Sequence, residues 1–385
     1  MIQGDNGEGK SNLLEAVAWL ATLESFRGAP TDALVRVGAP SAVVRASGSR
    51  EGRSLLLEGS ISSAGRTKVQ INRQPLRRTR DLLGALRVSV FSPDDLVLIK
   101  GGPSDRRRYL DDLLVACHPR WDAVRSDVDR ILRQRATLLK QAGGRLTPTI
   151  ESTLDVWDSK LAASGAELAE GRAALVASLS PAVSEAYQGL AGSSCRVSLS
   201  YVAAWAAGVL SGSGDGLSGP GVSGDGLSGG GLSGPGVSDG GLSGPGVSGG
   251  GVGLTGALAA ALAAALAAAR NDDVRRGVST VGPHRDELAI TLEGLPSRTH
   301  ASQGEQRSLS LALRLGGHAV VRDAASDEPV LLLDDVFSEL DPGRSAALLA
   351  SLPSGQAILT TASGIPDGIE PAARLTVRHG VVTGS

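Results

Sequence analysis

The residues best suited to chemistry stand almost at the start of the chain. Gly4-Asp5-Asn6-Gly7-Glu8-Gly9-Lys10-Ser11 fits the pattern G-x-x-x-x-G-K-[S/T] and runs straight into apolar residues at helical spacing, Ser11 to Leu20. Glycines let successive backbone N–H groups turn inward around an anion, and the positive end of the following helix adds to that field. In such a loop Lys10 reaches the β and γ phosphates of a nucleotide and the Ser11 hydroxyl ligates Mg²⁺. Far downstream, Val330-Leu331-Leu332-Leu333 leads into Asp334-Asp335, the form of a buried strand that carries carboxylates to its C-terminal edge. Asp334 would then join the Mg²⁺ shell, and Asp335 would orient or deprotonate an attacking water. Adjacent aspartates also end strands in ordinary turns. The phosphate loop upstream gives this pair its catalytic reading, with ATP and Mg²⁺ as cofactors.

The elements that must position these groups are legible as patterns. Only Met1-Ile2-Gln3 precede the loop, so little strand is visible in front of it. From Ala42 to Val90 short β-type runs alternate with Gly52, Gly59, Gly65 and Asn72, which predicts an antiparallel meander closed by Val88–Phe91. Ser104 is placed to cap a helix whose periodicity continues to about Gln141, and a second helical stretch runs from about Glu151 to Leu190, with a break expected near Pro181. These stretches suit a helical hairpin arm, either a plain helical subdomain or a coiled coil. Of the 52 glycines, 21 fall between Ser211 and Gly256, in five-residue repeats such as Gly216-Leu217-Ser218-Gly219-Pro220. That composition cannot bury enough apolar surface to offset ordering entropy, so a disordered insertion is expected. The Ala-Leu run that follows, with Leu258, Leu262 and Leu266, restarts helix. Beyond it a strand-like stretch begins at Ser279, Ser302–Val321 and Pro342–Leu352 read as helices, and Pro329–Leu333 and Ala357–Thr361 as strands.

Two further motifs decide the class. Ala301-Ser302-Gln303-Gly304-Glu305-Gln306-Arg307 resembles the signature loop of ABC-type ATPases, and Ser338-Glu339-Leu340-Asp341 resembles their D-loop. Within that superfamily Phe91-Ser92-Pro93-Asp94-Asp95-Leu96, the run Lys100 to Asp111, Gly282-Pro283-His284-Arg285-Asp286 and Leu333 to Asp341 are similar to the RecF recombination-repair proteins, over nearly the whole chain apart from about 210 to 270. The resemblance implies an α/β fold, a P-loop NTPase of ABC-ATPase head type with an antiparallel β subdomain and a helical second lobe. It divides the chain into a head segment 1–103, a helical lobe 104–205, an insertion 206–256 and a second head segment 257–385.

The resemblance also implies a function: an ATP-dependent homodimer that binds gapped and junction DNA, works with RecO and RecR to load RecA, and uses hydrolysis as a release switch. Carried over, Gly4 to Ser11 and Asp334 bind MgATP, Asp335 and Lys10 are the catalytic positions, and Ser302, Gln303 and Gly304 act in trans on nucleotide held by the other subunit. Asp341 couples the two sites, and Thr360-Thr361 stand at the switch position where many ABC proteins have histidine. The family has strands ahead of its phosphate loop. A start three residues before Gly4 implies a misassigned start or a short fragment, with Ile2 at a sheet edge and weakened folding and ATP binding.

Composition sets the remaining bounds. At 385 residues the chain is too long for a peptide hormone, knottin or lone zinc finger. Its 38 basic and 40 acidic residues nearly cancel, so nucleic-acid binding needs local patches. Arg73, Arg77, Arg78 and Arg80 form one candidate patch, and Arg106, Arg107 and Arg108 another, through the bidentate fit of guanidinium to phosphate. Solvated surface is the competing reading for each of them. His284 and Arg285 fit a family motif, with a satisfied core histidine as the competing reading for His284, and the four tryptophans fit packing better than base stacking. Cys117 and Cys195 make no disulfide framework, which fits a reducing compartment, with the cytoplasm expected. A cleaved leader would remove the phosphate loop, and the 13-residue apolar run Ala257–Ala269 is short for a bilayer, so no membrane association is expected. The rival readings are the energising subunit of an ABC transporter, which lacks a two-helix arm of this size, an SMC-type ATPase, which needs a longer coiled coil, and a non-catalytic binding protein.

Overall fold

A computed structural model describes residues 1–50, 52–192, 194–212, 251–362 and 368–384. The repeats expected to be disordered lie outside the described residues. The chain divides into two compact units: Met1–Arg130 with Gly171–Val202 and His284–Ser385, and Ile131–Glu170 with Ala203–Pro283.

The first unit is built on a six-stranded sheet. β1 (Ile2–Gln3) leads through the phosphate loop into α1 (Lys10–Thr22). A separate antiparallel sheet follows, β2 (Ser41–Arg50), β3 (Arg53–Ser62), β4 (Lys68–Ile71) and β5 (Gln74–Pro75), and then β6 (Val88–Phe91). The short α2 (Val97–Lys100) precedes α3 (Pro103–Cys117), α4 (Trp121–Gln141) and α5 (Pro148–Ala191). β7 (Val197–Val202), α6 (Ala207–Gly212) and α7 (Gly251–Arg276) come next. After them lie β8 (Glu287–Leu292), β9 (Leu295–Pro296), α8 (Ser297–His300) and α9 (Gln303–Ala325). The chain ends with β10 (Val330–Asp334), α10 (Pro342–Ser351), β11 (Ala357–Thr361), β12 (Leu375–Arg378) and β13 (Val381–Gly384).

The main sheet has the order β13-β12-β1-β11-β10-β6, with every pairing parallel except β12 with β13. Parallel pairing aligns the C-terminal ends of β1, β6, β10 and β11 along one edge, where ligands bind in open α/β sheets. Two expectations are corrected here. Ile2 is no edge residue: it pairs with Thr360 on one side and Leu375 on the other, and it is 3% exposed. β6 does not close the meander but pairs with β10, Phe91 opposite Leu333, because its apolar residues are needed at the edge of the central sheet.

α1 joins the main sheet to the β2–β5 sheet, using different faces for the two. Leu14 and Ala18 pack with Ile2, Leu332 and Val377 of the main sheet, while Trp19 and Leu20 pack with Leu57, Ile61, Val69 and Leu82 beside the antiparallel sheet. Each fully buried side chain of this size contributes about 1.5–3 kcal/mol of transfer free energy. Gly59 belongs to this packing, since a Cβ there would stand 2.2 Å from the Trp19 ring.

Four further expectations are corrected. The single periodicity to Gln141 is two helices, separated at His118–Arg120, and the first is capped not by Ser104 but at Gly102, whose N–H donates to the Asp105 carboxylate at 3.0 Å. α5 continues through Pro181, where a lost backbone donor is outweighed by the buried Leu179, Val183 and Tyr187 on either side. No strand begins at Ser279, because its hydroxyl and the Thr280 N–H and hydroxyl are taken up by Arg135 and Asp273. In the second unit Arg135, fully buried, donates to Asp158 and Asp273 at 2.7 Å each, and Arg270 donates to Asp158 at 2.9 Å. α7 is long and apolar enough by composition to cross a membrane. Its Leu258, Leu262 and Leu266 are completely buried within the protein.

Candidate nucleotide-binding site

The phosphate loop is shaped by its glycines. Gly7 and Gly9 adopt φ of +86° and +101°, a region that L side chains rarely enter. Gly4 lies so close to β12 that a Cβ would stand 2.5 Å from the Val377 carbonyl oxygen. Gly9 is the N-cap of α1 and supplies no side-chain hydrogen bond, so the first-turn amides of the helix are left facing the loop. Lys10 is only 6% exposed, and its ammonium donates to the carbonyls of Gly4 at 2.7 Å and Asp5 at 2.9 Å. The charge is thus folded into the loop's own interior. Asp5 and Asn6 sit at the exposed tip or beside it, while the Glu8 carboxylate accepts from the His379 N–H in the β12–β13 turn.

The strand-end carboxylates meet the loop directly. Ser11 Oγ donates to Asp334 Oδ1 at 2.8 Å, and Thr360 Oγ1 donates to the same oxygen at 2.7 Å. The Asp335 N–H in turn donates to Thr360 Oγ1 at 3.0 Å. Thr360 is fully buried and Asp334 is 7% exposed. One threonine at the end of β11 therefore fixes both aspartates, a role its place beside them in the sheet reveals and its sequence context does not. Asp335 lies in the left-handed region at φ +49°, and its Oδ1 is buried with no hydrogen-bond partner among the described residues. A buried acceptor without a donor costs about 1–3 kcal/mol, so this oxygen is suited to a donor that arrives with a ligand.

These groups fit a magnesium nucleotide. Two neighbouring ligands of an octahedral Mg²⁺ shell at about 2.0–2.1 Å stand about 2.9 Å apart, close to the separation of Ser11 Oγ and Asp334 Oδ1. Hydroxyl and carboxylate are the hard oxygen donors that this cation takes. The loop amides and Lys10 supply positive charge for the phosphates.

The second group of predicted residues sits elsewhere in the same unit. Ser302 is the N-cap of α9: its hydroxyl accepts from the Glu305 N–H at 3.3 Å, and the Glu305 carboxylate accepts from the Ser302 N–H at 2.7 Å. These hydrogen bonds, the backbone one first, hold the Glu305 carboxyl below its ordinary range. Ser302 and Gln303 are exposed. Asp341 caps α10, accepting from the Arg344 N–H at 2.9 Å and pairing with its guanidinium at 2.8 Å; its carboxyl is held low chiefly by that amide. Ser302 and Glu305 bond to each other, and neither bonds to Lys10 or Asp334 of the same chain.

With this geometry in place, the chain can be set beside known proteins. The profile of the RecF/RecN/SMC N terminal domain matches residues 1–363. The DNA replication and repair protein RecF of Kineococcus radiotolerans is 41% identical over 379 residues, covering 96% of this chain and 88% of that one. The protein of the same name from Streptomyces avermitilis is 40% identical over 387 residues, covering 98% and 91%. The chain belongs to the RecF family. Solved structures described as the recombination mediator protein RecF with ATP and with ATPrS, in the RecFOR pathway, have TM-scores of 0.80 at 26% and 25% identity, each covering 100% of this chain and 90% and 91% of theirs. The head fold inferred from the RecF motifs is therefore the fold observed.

Among the basic residues, this RecF-family chain separates two kinds. Arg73, Arg77, Arg78 and Arg80 are exposed, on or just beyond the β4–β5 hairpin, whose tip has Asn72 and Arg73 both at positive φ. Arg106 is no surface cation. It is 7% exposed, forms a bidentate pair with Glu287 at 2.8 Å and donates to the carbonyls of Leu98 and Gly101. Arg107 donates to the Asp286 carbonyl at 2.8 Å, and burial lowers its pKa. Both link α3 to β8. Helical phase places Arg106 on the same side as the buried Tyr109 and Leu110, a signal already present in the sequence.

Proposed function

We propose that this RecF-family chain is an ATP-dependent recombination-repair protein, in which nucleotide closes two copies into a dimer on DNA. The observation that carries the reading is the junction of Ser11 and Thr360 on one oxygen of Asp334, with the unpartnered Asp335 Oδ1 beside it. In this reading Lys10 leaves the Gly4 and Asp5 carbonyls to hold the β and γ phosphates, and the amides from Gly4 to Ser11 enclose them. Bound Mg²⁺ would supply charge neutralisation between the phosphates. Ser11 and Asp334 hold its shell, and Asp335 orients the attacking water or takes its proton.

The exposed Ser302 and Gln303, with the half-buried Gly304, then serve the nucleotide of the second copy, which accounts for a serine-capped helix start whose serine and glutamate bond to each other rather than to Lys10 or Asp334 of the same chain. Asp341 lies at the same interface. The partner nucleic acid is gapped or junction DNA, with RecO and RecR as protein partners, RecA as the indirect beneficiary and the cytoplasm as the compartment. Residues 41–80 carry nine arginines and lysines against two glutamates, and the exposed Arg73, Arg77 and Arg78 are the phosphate contacts we assign within them.

Sedimentation with and without ATP and Mg²⁺ tests the reading. Wild type converts from monomer to dimer and binds DNA more tightly. Lys10→Ala does neither, and Asp335→Asn dimerises but hydrolyses slowly. A Lys10→Ala protein that dimerises normally in ATP overturns the trans arrangement.

A further inference from the structure

The turn at Asp341 and the turn at Ser302 are joined by one side chain. Arg344, in the first turn of α10, donates from its backbone N–H to Asp341 Oδ1 and from its guanidinium to Asp341 Oδ2 at 2.8 Å, so the carboxylate fixes the arginine at both ends. The far end of the guanidinium lies across Gly304 in the first turn of α9. A Cβ on Gly304 would stand 2.4 Å from Arg344 Nη2 and 3.1 Å from Cζ. Gly304 is therefore the residue that lets the cation rest on the helix start. The contact is not favoured by the helix field, because a cation at a helix N-terminus meets the positive end of the dipole. What offsets this is the negative charge on both sides, Asp341 on its own helix and the Glu305 carboxylate of the capping box, which also feels Arg344.

We propose that Arg344 is a positioning residue that latches the Asp341 turn to the Ser302–Glu305 turn, so that the two meet a second copy's nucleotide as one piece. The role rests on the trans reading given above, but the latch itself is a feature of a single chain. Arg344 touches no reacting atom in this arrangement. It sets the angle of the α9 helix start, and with it the aim of the Ser302 hydroxyl and the Gly304 amide. It also makes a specific statement about Gly304: a side chain there would act first by displacing Arg344 within its own chain.

Two measurements separate the latch from the trans mechanism. In the nucleotide-free chain, hydrogen exchange of the amides of residues 303–306 is expected to speed several-fold in Arg344→Ala, and equally in Gly304→Ala. Arg344→Lys, which keeps the charge but loses the planar fork, falls between. In the presence of ATP and Mg²⁺, Arg344→Ala is expected to bind nucleotide within about two-fold of wild type and to turn it over about ten-fold more slowly. Gly304→Ala turns over at least as slowly, and the double variant is no worse than Gly304→Ala alone, since the glycine change has already broken the Arg344 contact. Unchanged exchange at 303–306 in Arg344→Ala overturns the latch whatever the dimer does. Multiplying effects in the double variant show that Gly304 acts independently of Arg344 and overturn it as well. Altered exchange with normal turnover refutes the coupling role while leaving the trans reading to the Lys10→Ala result.

Discussion

Thr360 offers the sharpest test of how the two aspartates are held. Thr360→Val is nearly isosteric and removes only the hydroxyl. Three hydrogen bonds go with it: the donation to Asp334 Oδ1 at 2.7 Å, a long one shared with the Leu333 carbonyl at 3.5 Å, and the acceptance from the Asp335 N–H at 3.0 Å. A hydrogen bond to a charged group is worth about 1.5–3 kcal/mol net. The Asp335 N–H retains a second acceptor, the Thr360 carbonyl at 3.3 Å, so the further loss there is below about 1 kcal/mol. The expected destabilisation is therefore about 2–3 kcal/mol. Thr360→Ser keeps the hydroxyl and deletes one methyl from a fully buried site, which costs about 1 kcal/mol. Chemical denaturation followed by tryptophan fluorescence should thus rank wild type above serine and serine above valine. Asp334 also loses one of two donors that orient it, and loss of such a supporting group weakens metal binding about 10–100-fold. A magnesium titration of ATP turnover should move to higher concentration in the valine variant and stay near wild type in the serine variant. Equal stability of the two variants, with overlapping magnesium titrations, would refute the argument that this hydroxyl organises the site.

The other perturbations probe charge and burial. Arg135→Met leaves Asp273 buried without its cation and Asp158 with Arg270 alone, and breaking such a buried pair from one side costs about 3–5 kcal/mol, so thermal unfolding of the helical unit should move to markedly lower temperature. Burial pushes the Cys117 thiol up to about 11, which leaves on the order of one thiolate in a thousand at pH 8. A thiol-reactive dye at that pH should label the half-buried Cys195 first and reach Cys117 only after denaturant is added. The same raised value stabilises the fold fully below about pH 9, and that contribution is lost as pH rises through about 11. Reversing charge at Arg77 and Arg78 should weaken DNA binding and flatten its dependence on salt by about two phosphate contacts, with no change in melting temperature. Replacing Arg106 should do the opposite, lowering stability through the orphaned Glu287.

The order of the motifs along the chain was enough to specify the chemistry. A glycine loop before a helix, apolar strands ending in carboxylates, and a serine-glycine helix start each have a local physical reason, so each is visible within a few residues. Strand β11 and helices α9 and α10 were likewise legible, since period and capping residues act locally. Partners distant in sequence were not. That β6 belongs beside β10, and that Ile2 lies between two strands, follows from which apolar surfaces must cover one another, and a four-residue run carries no mark of its neighbour. The arginines show the same division. Helical phase turns Arg106 inward, but only folding gives it the half-buried Glu287 as partner while leaving Arg77 in solvent. Residue types and spacing thus determined what reaction the chain is equipped for. Only the tertiary structure decided which side chains share an oxygen, because hydrogen bonds select by distance in space and the hydrophobic effect that creates those distances is indifferent to order along the chain.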